Sequence, residues 1–362
     1  MAKPVDRLIL KVGVIGTGLI SKEHLYYLSE SDRTRIIGVC DLSKAAAHYA
    51  TQRFGAETFY TNYHQMLNEA KPDVVHILTP PHTHKAIAMD CLKAGAHVIC
   101  EKPVTPTYEE FKELWSFAKQ CDRYLIENQN YRYNQPILEL QKLVEDGTLG
   151  EVQDVEVRMA LDIRSEGRYA DENLPSPLHN LPAGVIHDFI THLSYLTLLF
   201  IQDFDDVKVA WNNYGGGDLF KYDDLDALVF AGSKHARIRF SCYTQPDCFS
   251  IIVRGSRGYA EADLFQPYVR CIVPRAVGQK LSPLVNQFSN GWTLINSSVN
   301  NFQRKLLQKT PYEGLHYLLD ETYKALQENR QPPIGYQEME VTSRLVNALV
   351  TEESHLSLVK NC

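Results

Sequence analysis

The chain has no Cys-x-x-Cys pair, no basic stripe, no internal repeat and no low-complexity tract. Each absence removes a class. Eight cysteines, at 40, 91, 100, 121, 242, 248, 271 and 362, are scattered, several inside apolar segments, and read as reduced and mostly buried rather than as a metal clip or disulfide framework. Lys and Arg number 37 against 44 Asp and Glu, giving a net charge of -7, so no nucleic-acid or membrane partner is expected. The longest apolar run, Leu193 to Ile201, is too short to cross a bilayer, and Met1 to Asp6 show no apolar signal region. A cytoplasmic protein is the expectation.

What is present is enough apolar residue, 44% of 362, to build two cores. The first hundred residues are the most informative. An apolar strand, Leu10 to Ile15, runs into Gly16-Thr17-Gly18-Leu19-Ile20-Ser21, and a second strand, Ile36 to Cys40, ends at Asp41. Gly16 permits a tight strand-to-helix turn, Gly18 lets backbone N–H groups approach a pyrophosphate, and the helix aims its positive end at that charge. Asp41 is placed to accept from a ribose 2'-hydroxyl. Ser21 replaces the third glycine of the pattern and is small enough to keep helix and strand close. The alternative is a glycine turn without a ligand.

Strands and helices then alternate. A helix is expected from Ser43, a short extended piece at 58–60, a helix through Met66 and Leu67, a strand from Val74 to Leu78, a helix from His84, and strands at Val98–Cys100 and Tyr124–Ile126. Thr107-Tyr108-Glu109-Glu110 forms a capping box. This order implies a doubly wound parallel sheet over 1–127. From Val155 onward, apolar residues alternate with Asp154, Glu156 and Arg158, so the region 128–362 is expected to be an α+β domain with a mostly antiparallel sheet. Further strands are expected near 225–230, 236–243, 249–254 and 259–263, and closing helices near 312–327 and 337–352.

Two places can carry chemistry. Glu101-Lys102-Pro103 follows a parallel strand at the carboxyl edge, where such sheets place ligands, and Lys102 can stabilise negative charge developing on oxygen. A solvated surface lysine is the competing reading. The second is Asp188-Phe189-Ile190-Thr191-His192, in an apolar helix expected from about 183 to 200, where spacing i, i+4 puts Asp188 and His192 on one face. An acid there needs a partner, and His192 is suited to taking a hydroxyl proton near neutral pH. A purely structural Asp–His pair is the alternative. No metal is expected, because His187 and His192 diverge and His82 with His84 lack a third ligand in sequence.

Together, Val12 to Ser21, Asp41, Thr79-Pro80-Pro81-His82-Thr83-His84, Ala94 to Pro103 and the Asp188–His192 helix resemble the Gfo/Idh/MocA oxidoreductases, the family of glucose-fructose oxidoreductase and inositol dehydrogenase. The resemblance implies an N-terminal Rossmann domain, a C-terminal domain with a large, open sheet used for homodimer or homotetramer contacts, and hydride transfer at a sugar or polyol carbon. It implies Lys102, Asp188 and His192 as the catalytic set. The expected cofactor contacts are Gly16, Thr17, Gly18, Leu19, Ile20, Asp41, Thr79, Pro80, His84, Glu101, Lys102 and Asn130. NAD is favoured, because no arginine follows Asp41, with NADP open through Lys44.

Substrate contacts are expected from Lys102, Tyr131, Asp188 and His192, and from Arg164, Arg168, Tyr169 and His179 on the long loop 162–182. Two arginines would suit a sugar acid or a nucleotide sugar. Two other activities stay open on the same fold: an NAD-dependent glycosidase working by transient oxidation and elimination, and a non-catalytic NAD-binding regulator.

Overall fold

The computed structural model describes residues 9–165, 167–172, 176–215, 217–307 and 312–351. Met1 to Asp6, Cys362, the expected helix end at Glu352 and part of the 162–182 loop lie outside them.

By its contacts the chain forms two units, one holding 9–130 and 312–343, the other holding 131–307 and 344–351 of the residues described. In the first, β1 (Leu10–Ile15), α1 (Ser21–Glu30), β2 (Thr34–Cys40), α2 (Lys44–Phe54), β3 (Phe59–Tyr60), α3 (Tyr63–Ala70), β4 (Val74–Ile77), α4 (Pro81–Lys93), β5 (His97–Cys100), α5 (Tyr108–Gln120) and β6 (Leu125–Glu127) alternate as expected. The six strands are all parallel in the order β3-β2-β1-β4-β5-β6. The chain reverses direction across the sheet between β1 and β4, which opens a crevice at their carboxyl ends. Residues such as Val12, Val14, Val75 and Ile77 are fully or almost fully buried, because helices cover both faces.

Caps set the helix ends. Ser43 accepts from Ala46 N–H and Gly55 closes α2 in the left-handed region. Thr107 caps α5 by accepting from Glu110 N–H, while the Glu110 carboxylate meets the Thr107 hydroxyl rather than its N–H, so the box is half formed. α4 begins at Pro81, three residues before the expected start, since proline is pre-set for a first helical turn.

The second unit contains α6 (Gln135–Glu145), β7 (Val152–Ala160), α7 (Ile186–Ile201), β8 (Asp206–Asn212), β9 (Asp224–Ala231), β10 (Lys234–Ser241), β11 (Cys248–Gly255), β12 (Tyr259–Asp263), β13 (Tyr268–Ile272) and α8 (Ser282–Leu306). Its strands run β13-β12-β11-β7-β10-β9-β8, antiparallel except for β7 against β10. α7 packs on one face of β7 and β10, over Val155, Val157, Ile238 and Phe240, all buried. The opposite face carries ion pairs, among them Arg237–Asp226 and Arg270–Glu261. α7 starts at Ile186, because Gly184 takes φ +60 in the preceding turn, and this puts Asp188 in the helix's first turn.

Two helices close the described chain: α9 (Glu313–Gln327) and α10 (Tyr336–Thr351). The sequence expectation gave all of 128–362 to one domain, but the contacts place 312–343 with the first unit. The reason is α9's apolar stripe, Leu315, Leu318, Leu319 and Tyr323, which is buried, with α9 packing on α1. Each such side chain contributes about 1.5–3 kcal/mol on burial.

Candidate active site

At the carboxyl edge of the parallel sheet, Gly16 adopts φ +96, and a Cβ there would meet Leu78 O at 2.7 Å. Glycine is required. Gly18 is different, since a Cβ on it would meet nothing within 4 Å, so its role is to leave open space before the N-terminus of α1. Leu19 is exposed beside it and Ile20 half-buried. Ser21, buried in the third glycine's place, donates its hydroxyl to Gly18 O at 2.6 Å and so braces the turn. Asp41 stands at the end of β2, with Oδ2 accepting from Thr17 N–H (2.8 Å) and Thr17 Oγ1 (2.7 Å), and Oδ1 accepting from Ser43 N–H (2.8 Å).

The loops after β4 and β5 are joined by His84. Its ring is buried, with Nε2 2.7 Å from Thr79 O and Nδ1 2.9 Å from Pro103 O. Burial pushes this imidazole below its usual value against the pull of the two carbonyls, and a neutral ring donates to one of them at a time. His84, expected as a cofactor contact, has both ring nitrogens within hydrogen-bond distance of backbone carbonyls and so ties the segments of Thr79 and Pro103 together. Thr79 is half-buried, its hydroxyl 2.7 Å from that of Thr83, and Pro80 is exposed.

Glu101, directly before Lys102, points inward. Its Oε1 is 3.0 Å from His24 Nε2 and accepts from Asn128 Nδ2. Burial raises the Glu101 carboxyl, but His24, Lys102 and Asn128 together bring it below the ordinary range, so it stays ionised. A second buried carboxylate, Glu127, accepts from Val104 N–H (3.0 Å) and Gln129 Nε2 (2.9 Å), and burial holds its pKa above the ordinary value despite the Lys102 charge. The half-buried Lys102 ammonium thus influences two buried acids. Asn130, also buried, opens a short helical turn at 130–133.

In the second unit, α7 presents His192, which is buried with Nδ1 2.8 Å from Tyr195 Oη. The Tyr195 hydroxyl also accepts from Tyr131 N–H at 3.2 Å, and the Tyr131 ring lies edge-on to His192 with centroids 4.7 Å apart. Asp188, one turn earlier, acts on Tyr169: burial and the Asp188 charge push that phenol up to about 12. Arg168 lies over the Tyr169 ring and donates to its hydroxyl, while His179 Nε2 donates to Tyr169 O at 2.9 Å. Arg164 pairs with the fully buried Asp223 at 2.6 Å and stacks on Tyr243. The structure therefore gathers His192, Tyr195 and Tyr131 in one cluster and Asp188, Tyr169 and Arg168 in another, and gives Arg164 a structural partner.

Sequence reasoning missed Tyr195, although it lies three residues beyond His192 on the same helix face, and it missed His24, Glu127 and Asn128. Among the described residues, no group of three or more His, Cys, Asp or Glu is placed to hold a metal ion.

Comparison with known proteins adds to this geometry. Residues 10–129 match the family model of the Gfo/Idh/MocA oxidoreductases, described as having an NAD-binding Rossmann fold. Over these residues the chain resembles that family's NAD-binding region. It is similar to the uncharacterized oxidoreductase C115.03 of Schizosaccharomyces pombe, 33% identical over 49% of this chain and 49% of that one. It is also similar to the D-glucoside 3-dehydrogenase of Escherichia coli, 30% identical over 40% of this chain and 41% of the other. The chain thus matches less than half the length of these curated relatives. A solved levoglucosan dehydrogenase, in complex with NADH and levoglucosan, superposes with a TM-score of 0.75 at 18% identity over 94% of this chain and 96% of that one, a likeness of fold. The two relatives above that have a named activity are both dehydrogenases by name.

Proposed function

We propose that this protein is an NAD-dependent dehydrogenase that oxidises a hydroxyl-bearing carbon of a neutral sugar, glycoside or cyclic polyol. The observation that carries the reading is the carboxyl edge of the parallel sheet, where the open Gly18 turn, the Asp41 carboxylate and Lys102 beside an ionised Glu101 occupy one crevice-forming edge. Bound there, NAD supplies the hydride acceptor. Asp41 accepts from the ribose hydroxyls, and its charge opposes a 2'-phosphate, which favours NAD over NADP.

Lys102 donates to the reacting oxygen and stabilises its negative charge as the proton leaves. His192 takes that proton. When Tyr195 Oη accepts the Nδ1 proton as well as the Tyr131 N–H, Nε2 keeps the lone pair that a base needs. Asp188 supports the positive charge that results.

Neutral substrates are favoured over sugar acids because the two candidate arginines have partners, Arg164 on Asp223 and Arg168 on Tyr169. The D-glucoside and levoglucosan enzymes named above are similar proteins with neutral carbohydrates in their names. The experiment is NADH appearance at 340 nm across glycosides, inositols, sugar acids and nucleotide sugars, with the native chain, Lys102→Ala and His192→Ala. Turnover of neutral substrates lost in both variants supports the reading. Turnover confined to charged substrates overturns its substrate class, and NAD binding without turnover of any panel member overturns the dehydrogenase.

A further inference from the structure

Helix α8 is built inside out. Three of its asparagines face its own unit: Asn286 accepts from Arg275 Nε at 2.6 Å and donates to Val273 O at 2.8 Å, Asn290 accepts from Cys271 N–H at 3.1 Å, and Asn301 donates to Pro267 O at 3.2 Å. Its apolar side chains face water. Val285, Phe288, Trp292, Ile295, Val299 and Phe302 are all exposed, Phe288 at 80%, Phe302 at 65% and Trp292 at 60%, and the series continues to Leu306. A helix of a soluble protomer ordinarily turns its apolar stripe toward its own core.

The stripe has a period that names its partner. Successive members are separated by three, four, three, four, three and four residues, which is the 3.5-residue repeat of a seam made to receive another helix with the same repeat. The flanking positions are uncharged until the last turn, with Leu284, Gly291 and Ser298 on one side, where Lys305 follows, and Ser289, Asn296 and Gln303 on the other. No charged residue occurs from 281 to 303. Two copies of the helix therefore meet without like-charge repulsion, and the absence of Lys and Arg from the polar face removes what an anionic membrane would attract. With aromatics burying roughly 150–250 Å² each, the seam offers on the order of 1,000 Å² per protomer, beyond the few hundred Å² a monomer usually exposes. Doubled, it meets the ~1,200–2,000 Å² of a stable interface.

We propose that α8 pairs antiparallel with α8 of a second copy of this chain across a two-fold axis near Ile295. The antiparallel sense keeps the two cationic ends, each with Arg304 and Lys305 some nine or ten residues from the axis, about 30 Å apart along the seam. This differs from association through the exposed sheet face, where Arg237–Asp226, Arg254–Asp154 and Arg270–Glu261 already satisfy one another. α8 packs along β13, the edge strand, so the contact extends the unit from the sheet's edge.

Sedimentation velocity of the full chain over a wide concentration series tests this. The native chain sediments as a dimer, and Trp292→Glu and Phe288→Asp each weaken dimerisation by about 100-fold or more while circular dichroism stays native. Should those variants unfold, Ile295→Cys under mild oxidation gives a disulfide-linked dimer that the parent chain does not. A native chain that stays monomeric, a dimer that survives both folded variants unchanged, a monomer that floats with phosphatidylcholine vesicles, or an Ile295→Cys chain that fails to cross-link overturns the proposal.

Discussion

Nδ1 of His24 and Nδ1 of His76 face each other at 2.8 Å, both rings buried. One nitrogen must donate and the other accept, so the tautomers are interlocked along a line from Glu101 through His24 and His76 to Tyr323 Oη, 2.7 Å from His76 Nε2. Burial keeps His76 neutral. We assign a proton to His24 Nε2, donating to Glu101, and leave His24 Nδ1 as the acceptor; His76 then carries its proton on Nδ1 and Tyr323 donates to Nε2. Tyr323→Phe leaves that nitrogen unpaired and costs about 1–3 kcal/mol, read as a lower urea midpoint. Nitrogen-15 spectra showing His76 protonated on Nε2 would refute the ordering.

Gly16 and Gly18 separate stability from binding. Gly16→Ala forces a left-handed alanine against Leu78 O and costs at least ~2 kcal/mol, so the melting temperature falls. Gly18→Ala meets no atom in the protein, so the melt is unchanged while NADH affinity drops. Equal thermal losses in both variants would contradict this division.

Arg164→Met removes the partner of a fully buried carboxylate and destabilises the fold by about 3 kcal/mol, leaving turnover per folded molecule near native. A raised KM at unchanged stability would instead return Arg164 to the substrate.

Tyr195→Phe deletes the hydroxyl shared by His192 Nδ1 and Tyr131 N–H. kcat is expected to fall by roughly tenfold with KM nearly constant, against 10²–10⁴ for His192→Ala, since one orients the base and the other is the base. A kcat loss in Tyr195→Phe as large as in His192→Ala would refute this ranking.

Acid weakens this protein. Burial, and secondarily Arg123, lower His97 from 6.5 to about 4 in the fold. The unfolded chain therefore binds the extra proton in that window, and stability present above 6.5 is lost as pH falls toward 4. His76 and Glu101 shift in the same direction, while Glu127, raised by burial, acts oppositely, its stability being lost as pH rises. Urea midpoints between about pH 7 and pH 5 should decline, and less steeply in His97→Gln. A flat profile in the native chain refutes the assignment.

The glycine turn, Asp41 and the strand before Lys102 were legible because each rests on local rules: a backbone angle, a periodicity, a strand end. His24, Glu127 and Asn128 were not, because they meet Glu101 or Lys102 only once separate strands and helices are packed. α8 escaped notice for another reason. Its Asn, Ser, Gly and Val are weak helix formers, so 282–306 reads as loop until the seam's spacing is counted. α9 was visible as an amphipathic helix, but periodicity reports that a face is buried and not against what.

The return of residues 312–343 to the first unit has a consequence for biosynthesis. The chain leaves that unit at residue 130, so the dinucleotide-type sheet waits for a helix encoded some 180 residues later before the flank of α1, and with it His76, is closed. At ribosomal speeds that interval is roughly 10–40 s, during which most of the second unit is made before α9. The half of the protein that is written first thus stays open until nearly all of the rest has been made.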